Sequence, residues 1–156
     1  MINLDSKHLI LAVKEQLNSE NNLIANLANI SSLIFHSTTN LNWVGFYLVE
    51  GNDLVVGPFQ GRPACVRIKR GHGVCGEALD KNTIMIVNDV LNHSNHIACD
   101  SNSRSEIVVP IYRGNEIVMV MDIDSELLNN FVDEAKNATF IEVARLITDK
   151  INKSEN

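Results

Sequence analysis

Three cysteines and a few carboxylates at strand-like spacing carry most of the chemistry this sequence can offer. Cys99 lies in Ile97-Ala98-Cys99-Asp100, inside a polar, aperiodic stretch where a thiol is accessible. His96, if protonated, or Arg104, if the stretch folds back, would favour its thiolate, and Asp100 would oppose it. An inert loop cysteine is the alternative. Cys65 follows a Gly/Pro segment in a short predicted strand, Ala64–Ile68, and could face a cleft. Cys75 opens a short predicted helix behind a glycine turn, where free N–H groups favour a thiolate. A buried, unreactive thiol is the alternative for both.

The acidic residues are more telling. Asp122 and Asp124 flank Ile123 at the end of an apolar run, and residues two apart in a strand share a face. Glu106 precedes a second apolar run, Ile107-Val108-Val109. Carboxylates side by side repel one another. They make sense around a bound cation such as an ammonium group, or where one holds a raised pKa. A solvated strand end is the alternative. Two further patterns carry less. Gly71-His72-Gly73-Val74-Cys75-Gly76 matches a dinucleotide fingerprint, but no acidic residue closes a second strand ~20 positions on. His93, His96 and Cys99 are spaced like a metal half-site without the paired knuckles of structural zinc. We therefore expect neither nucleotide nor metal.

These residues must be positioned by 156 residues, enough for one domain. Thirteen basic against nineteen acidic residues give a net charge of -6, which argues against a nucleic-acid partner. No apolar run approaches the ~20 residues of a membrane helix. Met1-Ile2-Asn3-Leu4-Asp5 lacks the regions of a signal peptide, so a cytoplasmic protein is expected. There, an odd number of cysteines is expected to be reduced at rest, with any disulfide transient. Asp5-Ser6 caps a first predicted helix, and Leu23, Leu27, Ile30 and Ile34 mark a second. Strands are expected at Trp43–Val49, Leu54–Val56, Ala64–Ile68, Ile84–Val87, Glu106–Tyr112 and Glu116–Asp124. Residues 57–63 read as a loop, Val74–Asp80 as a short helix, and 91–105 as a long functional loop. A last helix spans about 130–150, and residues 151–156 form a polar tail. Strands joined by short hairpins favour an antiparallel sheet with helices packed on it, an α+β fold occupying residues 1–150.

Several separate segments together resemble the GAF-domain free methionine-(R)-sulfoxide reductases. They are Asn42-Trp43-Val44-Gly45-Phe46-Tyr47, Gly57-Pro58-Phe59-Gln60-Gly61, Pro63-Ala64-Cys65, Gly73-Val74-Cys75-Gly76, His96-Ile97-Ala98-Cys99-Asp100, Ser105–Pro110 and Asp122-Ile123-Asp124-Ser125. Their order and spacing match over positions 42–125. Arg104 departs from the small or amide residue more often found there, and Leu91–Asn95 replaces a commoner Phe-Pro-Gly-like stretch.

The resemblance implies an antiparallel sheet of about six strands in a GAF fold, and a homodimer. It implies reduction of free L-methionine (R)-sulfoxide, with no bound cofactor and with thioredoxin as external reductant. Cys99 then corresponds to the attacking cysteine and Cys65 to the resolving one. Cys75 corresponds to a third cysteine that assists or resolves in its place. Glu106, Asp122 and Asp124 correspond to carboxylates that hold the substrate, one of them, Glu106 or Asp122, donating a proton. Trp43 and Tyr47 correspond to pocket walls. A non-catalytic GAF sensor of small molecules or thiol oxidation is the alternative.

Overall fold

The computed structural model describes residues 5–153. Two helices come first, α1 (Ser6–Ser19) and α2 (Leu23–Ser37). Asp5 caps α1 by accepting from the His8 N–H at 2.9 Å, and Asn22 caps α2 by accepting from that of Ala25 at 3.0 Å. Such caps satisfy N–H groups that a helix start leaves without partners. The remaining elements are β1 (Trp43–Glu50), β2 (Asp53–Gly61), β3 (Arg67–Lys69), α3 (Gly73–Lys81), β4 (Met85–Val87), β5 (Ser105–Arg113), β6 (Glu116–Ser125) and α4 (Glu134–Lys153). A 3-10 turn at Val90–Asn92 precedes the long connection to β5.

The strands form one sheet in the order β3-β2-β1-β6-β5-β4, and every neighbouring pair is antiparallel. The fold is therefore α+β, as the hairpin pattern implies. Residues 57–61, expected as loop, continue β2, because Phe59, Gln60 and Gly61 pair with Gly45, Val44 and Trp43 of β1 beyond a register shift. Cys65 is not in a strand: β3 starts at Arg67, and Cys65 sits in the irregular segment before it. The last helix starts at Glu134 and runs through Lys153, with Ile151 buried, so residues 151–153 are helix rather than tail. Residues 154–156 lie outside the described part.

Strand alternation divides the labour of the sheet. Val44 and Phe46 of β1, Ile107, Val109 and Ile111 of β5, and Met119, Met121 and Ile123 of β6 face α1, α2 and α4. They form the larger core with Leu9, Val13, Ile30, Phe140 and Ile147. The intervening residues point to the other face, where α3 and the connections cover them. Trp43, Tyr47, Val108 and Val120 join Val74, Cys75 and Leu79 in a second cluster. The period of two thus turns Trp43, Tyr47, Glu106, Asp122 and Asp124 to one side. Gly45 shares that face. A Cβ there would lie 2.3 Å from the Phe59 Cβ and 2.7 Å from the Trp43 Cη2. Only glycine leaves room for the Trp43 and Phe59 rings to stack, centroids 5.1 Å apart at 17°.

Candidate active site

On the face opposite the helical core lies a pocket of about 520 Å³. Three strands make its floor. Asp124 of β6 stands between Glu106 of β5 and Trp43 of β1 as a direct cross-strand partner of each. Asp122, two residues back on β6, pairs with Val108 and Gly45. Val74 and Cys75 of α3, Pro63 and Ala64 on one side, and His96, Ile97 and Cys99 on the other close the walls. All eight residues expected at a site meet here: Trp43, Cys75, Cys99, Glu106, Asp122, Asp124 and Tyr47 line the pocket, and Cys65 is bonded at its edge.

Cys65 and Cys99 form a disulfide, with Cα atoms 5.2 Å apart and a sequence separation of 34. Both sulfur-bearing residues are partly exposed. Two contacts fix the Cys65 side. The Tyr47 hydroxyl donates to the Cys65 carbonyl at 3.1 Å, and the Val56 N–H to the Val66 carbonyl at 2.9 Å. Tyr47 therefore does more than line the wall. Its buried ring stacks against Trp43, centroids 5.6 Å apart, and its O–H pins the cysteine loop.

Cys75 behaves otherwise than its helix-start position predicts. It is a free, buried thiol whose Sγ lies 3.9 Å from Glu106 Oε1. Burial, then the charges of Asp122, Glu106 and Asp124, push the thiol well above its ordinary range. Desolvation and three anions outweigh the helix N-terminus, so this thiol is protonated. The bridge to Cys99 comes from Cys65, not Cys75.

The carboxyls hold one another's protons. Burial pushes Glu106 well above the usual carboxyl range, and Asp122 and Asp124 add to it. Asp124 is raised by burial, then by the charge of Asp122. Asp122 is raised by burial, against hydrogen bonds from Glu106, Cys75 and Asp124 that favour its ionised form. Glu106 is thus a proton holder, and the hydrogen bonds on Asp122 favour its ionised form where those on Glu106 do not, the kind of separation that pairs of acids show in acid–base sites. Asp122 Oδ1, Asp124 Oδ1 and the Trp43 indole N–H are buried without protein partners. The Cys75 sulfur and oxygens of Glu106 and Asp122 lie within 4.8 Å of one another, a donor set small enough to surround one cation or ammonium group. The residues of the H-x2-H-x2-C pattern do not converge on one point. His93 Nε2 bonds Glu77 Oε1 at 2.8 Å, away from the pocket, while Cys99 is in the bridge.

His96 and Arg104 do not supply the cation expected beside Cys99. Burial, then His93, lowers the pKa of His96, so it is neutral. Arg104 reaches Asp89 at 3.8 Å instead. The residues that hold the Cys99 segment escaped the sequence reading. Asn42 Nδ2 donates to Asp100 Oδ2 at 3.1 Å and to Ser103 Oγ at 2.9 Å, and its backbone N–H to the Asp124 carbonyl at 3.0 Å. Arg62 Nη1 donates to Asp100 Oδ1 at 3.4 Å. At the far end Glu77, buried in α3, anchors the connection through His93 and Asn95 donates to the Gly71 carbonyl at 2.7 Å. Adjacency in sequence signals Asn42, beside Trp43, and Asp100, beside Cys99. Nothing signals Glu77.

A six-stranded antiparallel sheet with helices on one face and a polar pocket on the other is the architecture of a GAF domain. The GAF domain family matches residues 22–151. The chain is 47% identical over 127 residues to the free methionine-R-sulfoxide reductase of Escherichia coli K12, covering 81% of this chain and 77% of that one. The structure of the free methionine-R-sulfoxide reductase of Neisseria meningitidis in complex with its substrate superposes with a TM-score of 0.90 at 37% identity, over 97% of this chain and 92% of that one. The reduced form of fRMsr of Staphylococcus aureus does so with a TM-score of 0.90 at 40% identity, over 97% and 98%. The chain belongs to the GAF-domain free methionine-R-sulfoxide reductase family. No helix among the described residues is long and apolar enough to cross a membrane.

Proposed function

We propose that this protein reduces free L-methionine (R)-sulfoxide to L-methionine with its own cysteines. The observation that carries the reading is the Cys65–Cys99 bridge at the rim of a pocket floored by Glu106, Asp122 and Asp124. In the reduced protein the Cys99 thiolate attacks the sulfoxide sulfur while Glu106 gives its proton to the oxygen. Oxygen passes to Cys99. The substrate sulfur gains two electrons and leaves as the thioether, and Cys99 loses two and becomes a sulfenic acid. The Cys65 thiol condenses with that sulfenic acid and releases water, giving the disulfide.

Substrate choice follows from charge. A free amino acid carries an α-ammonium that a peptide-bound residue lacks, and the carboxylate floor favours it. Trp43 walls the S-methyl group by apolar and sulfur–aromatic contact. A dithiol of the thioredoxin type reopens the bridge by exchange. Val66, 67% exposed, and Ile97, 39% exposed, flank the bridge and offer such a partner an apolar rim. Recycling of this kind suits a reducing, cytoplasmic compartment, and we expect a homodimer and a role in clearing oxidised methionine there.

The decisive experiment replaces Cys99 with serine and follows the separated (R) and (S) sulfoxides of free methionine. We expect loss of (R) turnover and no (S) turnover in either protein. Undiminished (R) activity in Cys99→Ser overturns the assignment. A sensor, by contrast, binds ligand or is oxidised without turnover in the unaltered protein.

A further inference from the structure

Asp100 sets a problem for its neighbour Cys99. A carboxylate beside a thiol opposes the thiolate, and this one is withdrawn from water, its side chain only 8% exposed. Of the groups that contact it, Asn42 and the Asn102 N–H, the latter at 2.9 Å, are neutral. Arg62 brings the positive charge, at 3.4 Å. Arg62 follows Gly61, the last residue of β2, whose φ of +133° turns the chain there. A Cβ at Gly61 would lie 2.7 Å from the Asn42 carbonyl oxygen, so the turn that delivers Arg62 packs against the residue that also holds Asp100. Cys65 lies three residues further on.

The other charged and titratable groups around Cys99 do not take this role. His96 and His93 share its connection, the first neutral and the second bonded to Glu77. Cys75 comes from α3, Glu106 from β5, and Asp122 and Asp124 from β6, all acids facing the same pocket. Among the described residues, Arg62 is the lysine or arginine paired with the 97–103 segment. The charge of Asp100 also reaches the floor, adding to burial and to Asp122 in raising Asp124.

We infer that Arg62 is a positioning residue for Cys99: paired with Asp100, it cancels the anion beside the nucleophile and draws the two cysteine-bearing segments together. The inference rests on Cys99 being the attacking thiol, and its test needs no sulfoxide. Alkylation of reduced protein with iodoacetamide, resolved at the Cys99 peptide, is followed against pH. Arg62→Gln should move the Cys99 midpoint up by about half a unit to one unit, the low end for a partner exposed on one side. At pH 7 that slows alkylation roughly 3- to 10-fold. Arg62→Lys should restore most of the shift, and 1 M salt should shrink the difference between wild type and Arg62→Gln. In an Asp100→Asn background, Arg62→Gln should move the midpoint much less, because without Asp100 the exposed guanidinium loses the ion pair that holds it beside the Cys99 segment.

A loosened segment alone would change rates at every pH without moving the midpoint. An unmoved midpoint in Arg62→Gln, or an equal shift with and without Asp100, overturns the inference. Retained (R)-sulfoxide turnover in Cys99→Ser would instead overturn the functional reading and leave the alkylation result standing.

Discussion

Replacing Glu106 with glutamine separates what the acid cluster costs the fold from what it does for the reaction. Glu106 is 7% exposed, and burial, with Asp122 and Asp124, pushes its carboxyl well above the usual range. The fold therefore keeps a proton that the unfolded chain releases above about pH 4.3. The native state binds more protons than the unfolded state in that window. Its stability must fall as pH rises from about 4.3 toward the folded pKa. At pH 6 a carboxyl still protonated in the fold costs at most about 2 kcal/mol. Glutamine has no proton to lose, nearly the same volume, and an NH₂ that donates to Asp122 and Asp124 where the acid O–H did. Substrate-free, disulfide-bonded Glu106→Gln should therefore melt above the unaltered protein at pH 6, by up to roughly 8 °C at 2–4 °C per kcal/mol. The two should coincide near pH 4. The same variant should lose about 10²- to 10⁴-fold in sulfoxide turnover as the proton donor goes. Thermal unfolding across pH 4–8 reads the first effect and steady-state kinetics the second. A gap in melting temperature that does not widen with pH means Glu106 is ionised in the fold, and the proton-donor argument fails with it.

Cys65→Ser should give one methionine per protein molecule and then stop, with the Cys99 sulfenic acid trapped by a dimedone-type reagent. Continued thioredoxin-coupled cycling would transfer the resolving role to Cys75. Gly45→Ala should cost about 1–3 kcal/mol in urea unfolding and raise KM, because the new methyl displaces the Phe59 and Trp43 rings it would touch at 2.3 and 2.7 Å. His93→Ala should free the 93–104 segment, seen as faster amide exchange there with the sheet unaffected. Burial pushes the Glu77 carboxyl up, but hydrogen bonds from Asn95, His93 and Lys81 outweigh it and hold it low. That contribution should be present above about pH 4.3 and lost as pH falls through the folded pKa, so the protection of the segment against exchange, taken relative to the unstructured rate at each pH, should fall in acid.

The sheet was legible where the pattern was local. The apolar runs within Glu106–Tyr112 and Glu116–Asp124 predict both strands, and the Arg113-Gly114-Asn115 turn predicts their pairing, with Gly114 at φ +59°. The strand period of two places Asp122 and Asp124 on one face, which pairing then shares with Glu106 and Trp43. The failures share a cause. Gly57-Pro58 reads as a break, yet residues 57–61 form strand because β1 supplies their partners from across the hairpin. Cys75 sits at a helix N-terminus, but the acids that decide its protonation arrive from β5 and β6. His96 reads as a switchable cation until burial is known. Asn42, Arg62 and Asp100 are 20 and 38 residues apart along the chain, and nothing local announces that they meet. The roles of Cys99 and Cys65 came from resemblance, and the bridge between them is visible only in the fold.

The placement of acids and thiols matches what each must do in the proposed cycle. Proton donation and cation recognition need fixed geometry, and Glu106, Asp122 and Asp124 stand on the adjacent strands β5 and β6, backed by a buried apolar core. A thiol that first meets a substrate sulfur and then a second cysteine needs two positions. Strand residues cannot supply that motion, because a slip of one residue would turn the pocket face into the core face. Cys99 and Cys65 instead occupy connections, each tethered near its cysteine by side-chain contacts: Tyr47 to Cys65, Asn42 and Arg62 to Asp100. Cys75, placed on α3 and buried among the acids, has no such freedom. Its protonated thiol suits a hydrogen-bonding member of the floor, while the redox exchange stays with the pair at the rim.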